Sequence, residues 1–357
     1  MWFANMDTND LSKEQLIDAR KAIGQFIKDS RIEAKHEKCL ICGKIAPFCN
    51  SHTIPQFCLK HIAYNGKLKT FNSLIDTELL SIEFGINNAG TFHIICRQCD
   101  STIFHDYENP QAYSVLPNNV LLNQIALKNA LRDIAKHETE IKMFNKLKST
   151  VHENNPFLAI MFDTYFDSQI EARNRDIEEC YDIFSSTKSD LTATNPSVHL
   201  VSFDKLNYVV PIAFQGMIAL ITGVDGEIIN NQYNYDTDYS VEYLHIAIFP
   251  LENSSVVITF SDNRNTRLST FENSLTNATV KSRLEIINRI IMWYAEDYFL
   301  SPQLSEDVCK ELEQAAQQMQ DLYTTNPDTS LKNAVKDYDL RRDTCLPNLL
   351  SSEYAVI

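Results

Sequence analysis

Apolar residues first recur at helical spacing near the start of the chain, at Leu16, Ile17, Ile23, Phe26 and Ile27. This predicts an amphipathic helix over 10–36. Ser12 followed by Gln15 forms a capping-box pair at its start, and Gly24 is a weak point inside it. Between 66 and 95 the pattern turns strand-like, with "GKLKTF" and "GTFHIIC" each opening on a glycine and carrying β-branched or aromatic residues. From Asn119 to Ser149 the helical period returns through Leu121, Leu122, Ile125, Leu131, Ile134, Ile141, Phe144 and Leu147. "HENNP" then reads as a turn, and Pro156 stands in the first turn of a second helix reaching about Phe184, which makes an antiparallel helical hairpin. Over 198–260 the runs "VHLVSF", "YVVPIAF", "MIALITGV", "YLHIAIFP" and "SVVITF" alternate with turn residues such as Asp225-Gly226 and Glu252-Asn253. They predict four or five strands, two of them within Tyr208–Val224. Helices are expected again at 278–300 and 303–324.

The succession predicts an α+β chain. An N-terminal helix (1–36) precedes a cysteine-rich module (37–112) that Pro110 and Pro117 close. A helical hairpin with a mostly antiparallel sheet and C-terminal helices fills 113–330, and a polar C-terminal tail follows at 331–357. Composition adds exclusions. With 8 glycines and neither G-x-G-x-x-G nor G-x-x-x-x-G-K-[ST], neither a dinucleotide site nor a P-loop is expected. The first residues hold no basic segment followed by an apolar one, so no signal peptide is expected, and Pro211 and Gln215 interrupt the longest apolar run. The expectation is a cytoplasmic protein without a membrane span.

The nine cysteines change the picture most. Cys39 and Cys42 form one C-x-x-C pair and Cys96 and Cys99 another, the thiolate set of a structural zinc site. Gly43 fits the knuckle turn. The scattered Cys49, Cys58, Cys180, Cys309 and Cys345 read as small buried apolar residues rather than a disulfide framework. The formal net charge of −15 opposes nucleic acid over most of the surface, yet Lys38 to Ile75 holds five lysines (38, 44, 60, 67 and 69) and no acidic residue.

Between the pairs runs "NSHTIPQFCLKH", with Ser51, His52 and Pro55. This segment resembles the first strand of the HNH, or ββα-metal, nucleases, whose zinc-containing members carry two C-x-x-C pairs around the site. The resemblance covers about 70 residues and implies a zinc-bound treble-clef/ββα module. It implies His52 as general base and Asp100, directly after the last cysteine, as ligand of a catalytic Mg²⁺ or Mn²⁺, with His105 and Asp106 further approaches to that metal. In such a site the histidine takes a proton from water while the metal binds the scissile phosphate. Ser51 stands where the family has an acidic ligand, and a hydroxyl binds hard cations poorly. The 43 residues between His52 and Cys96 exceed the family's compact spacing, and Asn87 and Asn88 are both candidates for the mid-motif asparagine. "GINNAGTF" (85–92) and "CRQCDSTIF" (96–104) further resemble segments of a set of uncharacterised bacterial proteins, a likeness that continues weakly through 212–262 and "SP" at 301–302.

Two functions follow from the resemblance. One is a metal-dependent hydrolase of DNA or RNA, in an architecture that suggests anti-phage defence. The other is a catalytically inactive, zinc-stabilised module that recognises protein or nucleic acid, with the C-terminal region available for a protein partner or a homo-oligomer. Each residue also has a plain structural reading: His52 as a buried or zinc-supporting side chain, Asp100 as a helix N-cap, His105 as an ordinary surface or core histidine.

Overall fold

The computed structural model describes residues 13–70, 82–154, 156–193, 197–234, 236, 238–295, 297–312, 314, 331–341 and 346–356. Ser12 of the capping pair, the single Cys345 and half of the helix expected over 303–324 lie outside them; 306–312 is helical. Among the described residues no helix is long and apolar enough to cross a membrane.

Helix α1 (Lys13–Glu33) leads into the cysteine module. There β1 (Ser51–His52) pairs antiparallel with β4 (Thr91–Phe92), Ser51 opposite Phe92 and His52 opposite Thr91. Helix α2 (Gln56–Ile62) starts directly after Pro55 and buries Cys58, Leu59 and Ile62. A two-residue turn follows. Asn65 (φ 50) and Gly66 (φ 72) are both left-handed, and Tyr64 and Lys67 exchange both backbone hydrogen bonds at 3.0 Å. This is the primed turn that suits strand twist, so Asn-Gly here opens a hairpin. The turn feeds β2 (Lys67–Thr70), which pairs with β3 (Ile82–Gly85), and helix α3 (Arg97–Ile103) closes the module.

The expected helical hairpin is present as α4 (Asn119–Asn154) and α5 (Pro156–Asp190), packed along each other with Pro156 in the first turn of α5. Beyond it, β5 (Val198–Leu206), β6 (Ile212–Ile218), β7 (Leu244–Pro250) and β8 (Ser255–Asp262) precede α6 (Ser269–Asn277), α7 (Val280–Tyr294) and β9 (Phe299–Leu300). The sheet has seven strands in the order β3-β2-β9-β6-β7-β8-β5, and every pairing is antiparallel.

Several expectations give way here. The sheet exceeds four or five strands because β2 and β3 of the cysteine module join it through β9, where Leu300 lies between Lys69 and Ile212. Phe299 and Leu300 are thus a strand inside the span expected as helix 278–300, and α6 is a helix the periodicity did not reveal. Tyr208–Val224 yields one strand rather than two. Gln215 and Gly216 make no turn but continue the ladder opposite Ala247 and Ile246, and the turn comes later, around Gly226 (φ 82). The C-terminal stretch is also anchored. Residues Leu331–Asp337 are helical, Leu340, Leu349 and Leu350 are buried, and Asn288 of α7 clamps the chain by accepting from Leu349 N–H and donating to the Pro347 carbonyl, each at 3.0 Å.

Both faces of the central strands are covered. Ala213, Ala247, Phe249, Val256, Ile258 and Phe260 pack with α4 and the cysteine module, while Ile212, Phe214, Leu244, Ile246, Ile248 and Val257 pack with α6 and α7. Double coverage explains why these strands read as continuous apolar runs instead of alternating ones. Helix α4 is in turn buried on every side from Leu121 to Leu131, packed among the sheet, the cysteine module and the neighbouring helices.

Candidate functional site

The site begins at the knuckle. Gly43 (φ 68) closes the turn after Cys42, donating to the Cys39 carbonyl at 2.8 Å, and Cys39 N–H reaches the Lys44 carbonyl at 3.0 Å. Leu40 N–H to Ile94 O (3.0 Å) and Cys49 N–H to Ile95 O (3.1 Å) set this loop beside the second pair. All four sulfurs of Cys39, Cys42, Cys96 and Cys99 lie within 4.8 Å of one another, with Cys42 and Cys96 Sγ 3.9 Å apart. Four sulfurs at zinc-thiolate distance form a tetrahedron with edges of about 3.8 Å, so the set fits structural zinc. Burial pushes the Cys39 thiol up, but the backbone N–H groups of Cys42, Cys96 and Ile41 outweigh it and bring it down to about 7. Burial and the neighbouring sulfurs push Cys99 up. Among the described residues these four are the one group of three or more His, Cys, Asp or Glu side chains placed to share an ion.

His52 lies on β1, half-buried, its Nε2 3.2 Å from the Ile86 carbonyl. Burial is the main cause that holds its imidazole below the ordinary range; the positive charges of Lys128 and Lys60 add to it, and the Ile86 carbonyl and Asp100 oppose it. His52 is therefore neutral at neutral pH. Next to Ile86, Asn87 gathers two amides: Asn50 donates to its carbonyl (2.7 Å) and Gln56 to its Oδ1 (2.9 Å). Of the two candidate asparagines, Asn87 makes these contacts; Asn88 accepts from Thr91 through its carbonyl.

Asp100 does not cap its helix. Cys96 holds the N-cap position, so Asp100 sits a full turn in, its N–H bonded to the Cys96 carbonyl at 3.0 Å. Its side chain points to β1, where Ser51 donates to Oδ1 at 2.7 Å. A third group completes this contact. The Lys128 ammonium, carried in from α4, donates to Ser51 Oγ at 2.7 Å and to Asp100 Oδ1 at 2.8 Å, with Glu108 Oε1 at 4.0 Å. Its side chain has no exposed surface, and its charge lies over the rings of Phe104 (4.3 Å), Tyr107 (5.3 Å) and Phe92 (5.8 Å). The structure thus brings Ser51 and Asp100 together with Lys128, while His52, next along β1, contacts the Ile86 carbonyl and feels Asp100 through its charge. His105 lies apart: α3 ends at Ile103, and the His105 side chain is 78% exposed beside Asp106.

A buried polar chain backs the site. The Tyr107 hydroxyl touches both the Thr53 carbonyl, next to His52, and Gln215 Oε1 (2.9 Å) on β6. Gln215 donates to Asn129 (2.8 Å), whose amide meets His245 Nδ1 (3.0 Å) on β7. Lys128 and Asn129 are thus partners that reading the module alone missed. The available signal was the run "LLNQIALKNALRDI", in which polar residues fall all round a predicted helix and so must bury some of them. Cys49, Cys58, Cys180 and Cys309 are buried, as expected of small apolar side chains. No family model, curated protein or solved structure matches the chain.

Proposed function

We propose that the chain binds nucleic acid through a zinc-held, HNH-like, treble-clef module and does not cut it. The observation that carries this reading is the charge balance at His52. Lys60 and Lys128 act on it against Asp100, which Lys128 already neutralises, with Glu108 4.0 Å from the same ammonium. Lys38, Lys44, Lys60 and Lys67 are exposed on the same module of a chain whose formal net charge is −15. Exposed lysines on a module that also carries side-chain amides and a neutral imidazole suit phosphate contact together with hydrogen bonding to bases. Cleavage is the second reading, and a neutral His52 favours it, since a general base must be proton-free. Against it, the Asp100 oxygen that would hold a metal is bound to an ammonium.

The test is fluorescence anisotropy of the zinc-loaded chain with labelled single- and double-stranded DNA and RNA, at several salt concentrations, beside a cleavage assay in Mg²⁺ or Mn²⁺. Binding should weaken with salt, and Lys60→Ala should lower the log–log salt slope by about 1, the contribution of a single phosphate contact. Absence of binding to every nucleic acid would move the module to protein recognition. Cleavage that disappears in His52→Ala would establish the nuclease instead.

A further inference from the structure

A charged amine without exposed surface stays charged only where oxygen acceptors and a counter-ion receive it. Around Lys128 those acceptors come from two elements of the cysteine module, Ser51 Oγ on β1 and Asp100 Oδ1 on α3, with Glu108 Oε1 at 4.0 Å. Ser51 gives its own proton to Asp100, so the hydroxyl, the carboxylate and the ammonium form a closed set. A cluster of carboxylate and hydroxyl oxygens converging on one buried positive point is the donor set of a hard cation. Here the positive point belongs to the chain.

We infer that the Lys128 ammonium is a built-in cation holding the place of a divalent ion between Ser51 and Asp100, so that this part of the module is permanently independent of Mg²⁺ and Mn²⁺. The inference deepens the binding-without-cleavage reading and supplies its cause. Lys128 is not on a loop that could swing away. It projects from the N-terminal third of α4, whose residues from Leu121 to Leu131 are buried on all sides between the module, the sheet and the neighbouring helices. A divalent ion at the same point would meet the ammonium at contact distance, with only Asp100 and, at 4.0 Å from the ammonium, Glu108 to offset three positive charges. The ring faces of Phe104, Tyr107 and Phe92 favour an ammonium further and offer a divalent ion no oxygen. Ser51 fits the same logic: an aspartate there would add a third carboxylate, after Asp100 and Glu108, to a site whose cation carries one charge.

The experiment is Mn²⁺ binding to the full zinc-loaded chain, read by electron paramagnetic resonance and by paramagnetic broadening of the His52 ring signals. The wild-type chain should bind no Mn²⁺ at this place and leave those signals sharp. Lys128→Met combined with Ser51→Asp should gain one Mn²⁺ per chain and broaden them, and adding Asp100→Asn should abolish the gain. Mn²⁺ that broadens the wild-type signals, and ceases to in Asp100→Asn, would overturn the inference without any variant at position 128. A double variant that keeps the wild-type circular dichroism spectrum yet gains no Mn²⁺ would overturn it as well. Neither readout uses nucleic acid, so failure of the binding reading and failure of this one are told apart.

Discussion

Polar side chains inside this molecule divide by what burial does to their charge. The buried Lys128 amine is paired with the Asp100 carboxylate at 2.8 Å. His245, on β7, has the Phe260 ring stacked on it at 4.6 Å and the Asn129 amide as its hydrogen-bond partner, and burial pushes its imidazole down to about 4 despite the opposing charge of Asp262. The sign follows: the unfolded histidine takes up a proton near its usual pH of about 6.5 while the folded one does not, so stability from this group is complete above that pH and falls as pH drops toward 4. Between pH 7 and pH 5 the loss from His245 alone should be about 2 kcal/mol. His36 and His199 run the other way, raised by Glu138 and Glu272, with stability that is lost as pH rises through their folded values. The measurement is therefore a difference: urea unfolding of wild type and of His245→Gln at both pH values, the variant losing about 2 kcal/mol less. Equal losses would place the titrating histidine elsewhere. At this scale the cysteine pairs were legible because their spacing is local. Lys128 was not, since its partners Ser51 and Asp100 lie 77 and 28 positions away and nothing in a helical period says what a polar position faces.

Elements whose cause is local were readable, and elements whose cause is a partner were not. The α4–α5 hairpin follows from a sustained helical period and Pro156. By contrast, β9 has two residues and exists because Leu300 lies between Lys69 and Ile212. The Asn65-Gly66 turn shows a local cause that can be measured. A Cβ added at Gly66 would meet nothing within 4 Å, so the cost of substitution there is backbone strain alone. Gly66→Ala should destabilise the chain by about 1 kcal/mol, whereas Asn65→Gly should be nearly neutral. Chemical denaturation of the two variants checks this; equal effects would mean that the turn does not hold β2 in register.

At the scale of the whole molecule, the cysteine module and the sheet share one core. A zinc ion on the four cysteines, which their geometry fits, would knit the ends of a module whose own strands are two to four residues long. That module is not packed as a separate body. Leu59, Phe92, Phe104 and Tyr107 share one core with Leu122, Ile125 and Leu131 of α4 and with Phe249 and Phe260 of the sheet, and β2 is hydrogen-bonded into that sheet through β9. Loss of the metal should therefore be felt throughout. In urea, release of zinc to a chromogenic chelator, loss of helical circular dichroism and the change in fluorescence of buried Trp293 (in a Trp2→Phe background) should share one midpoint, because the knuckle cannot open without exposing the core that α4 and the sheet also use. Cys39→Ser should move all three midpoints down together. Zinc released at clearly lower urea than the other two transitions would mean that the module opens by itself, and that α4, rather than the cysteine cluster, keeps Lys128 against Asp100.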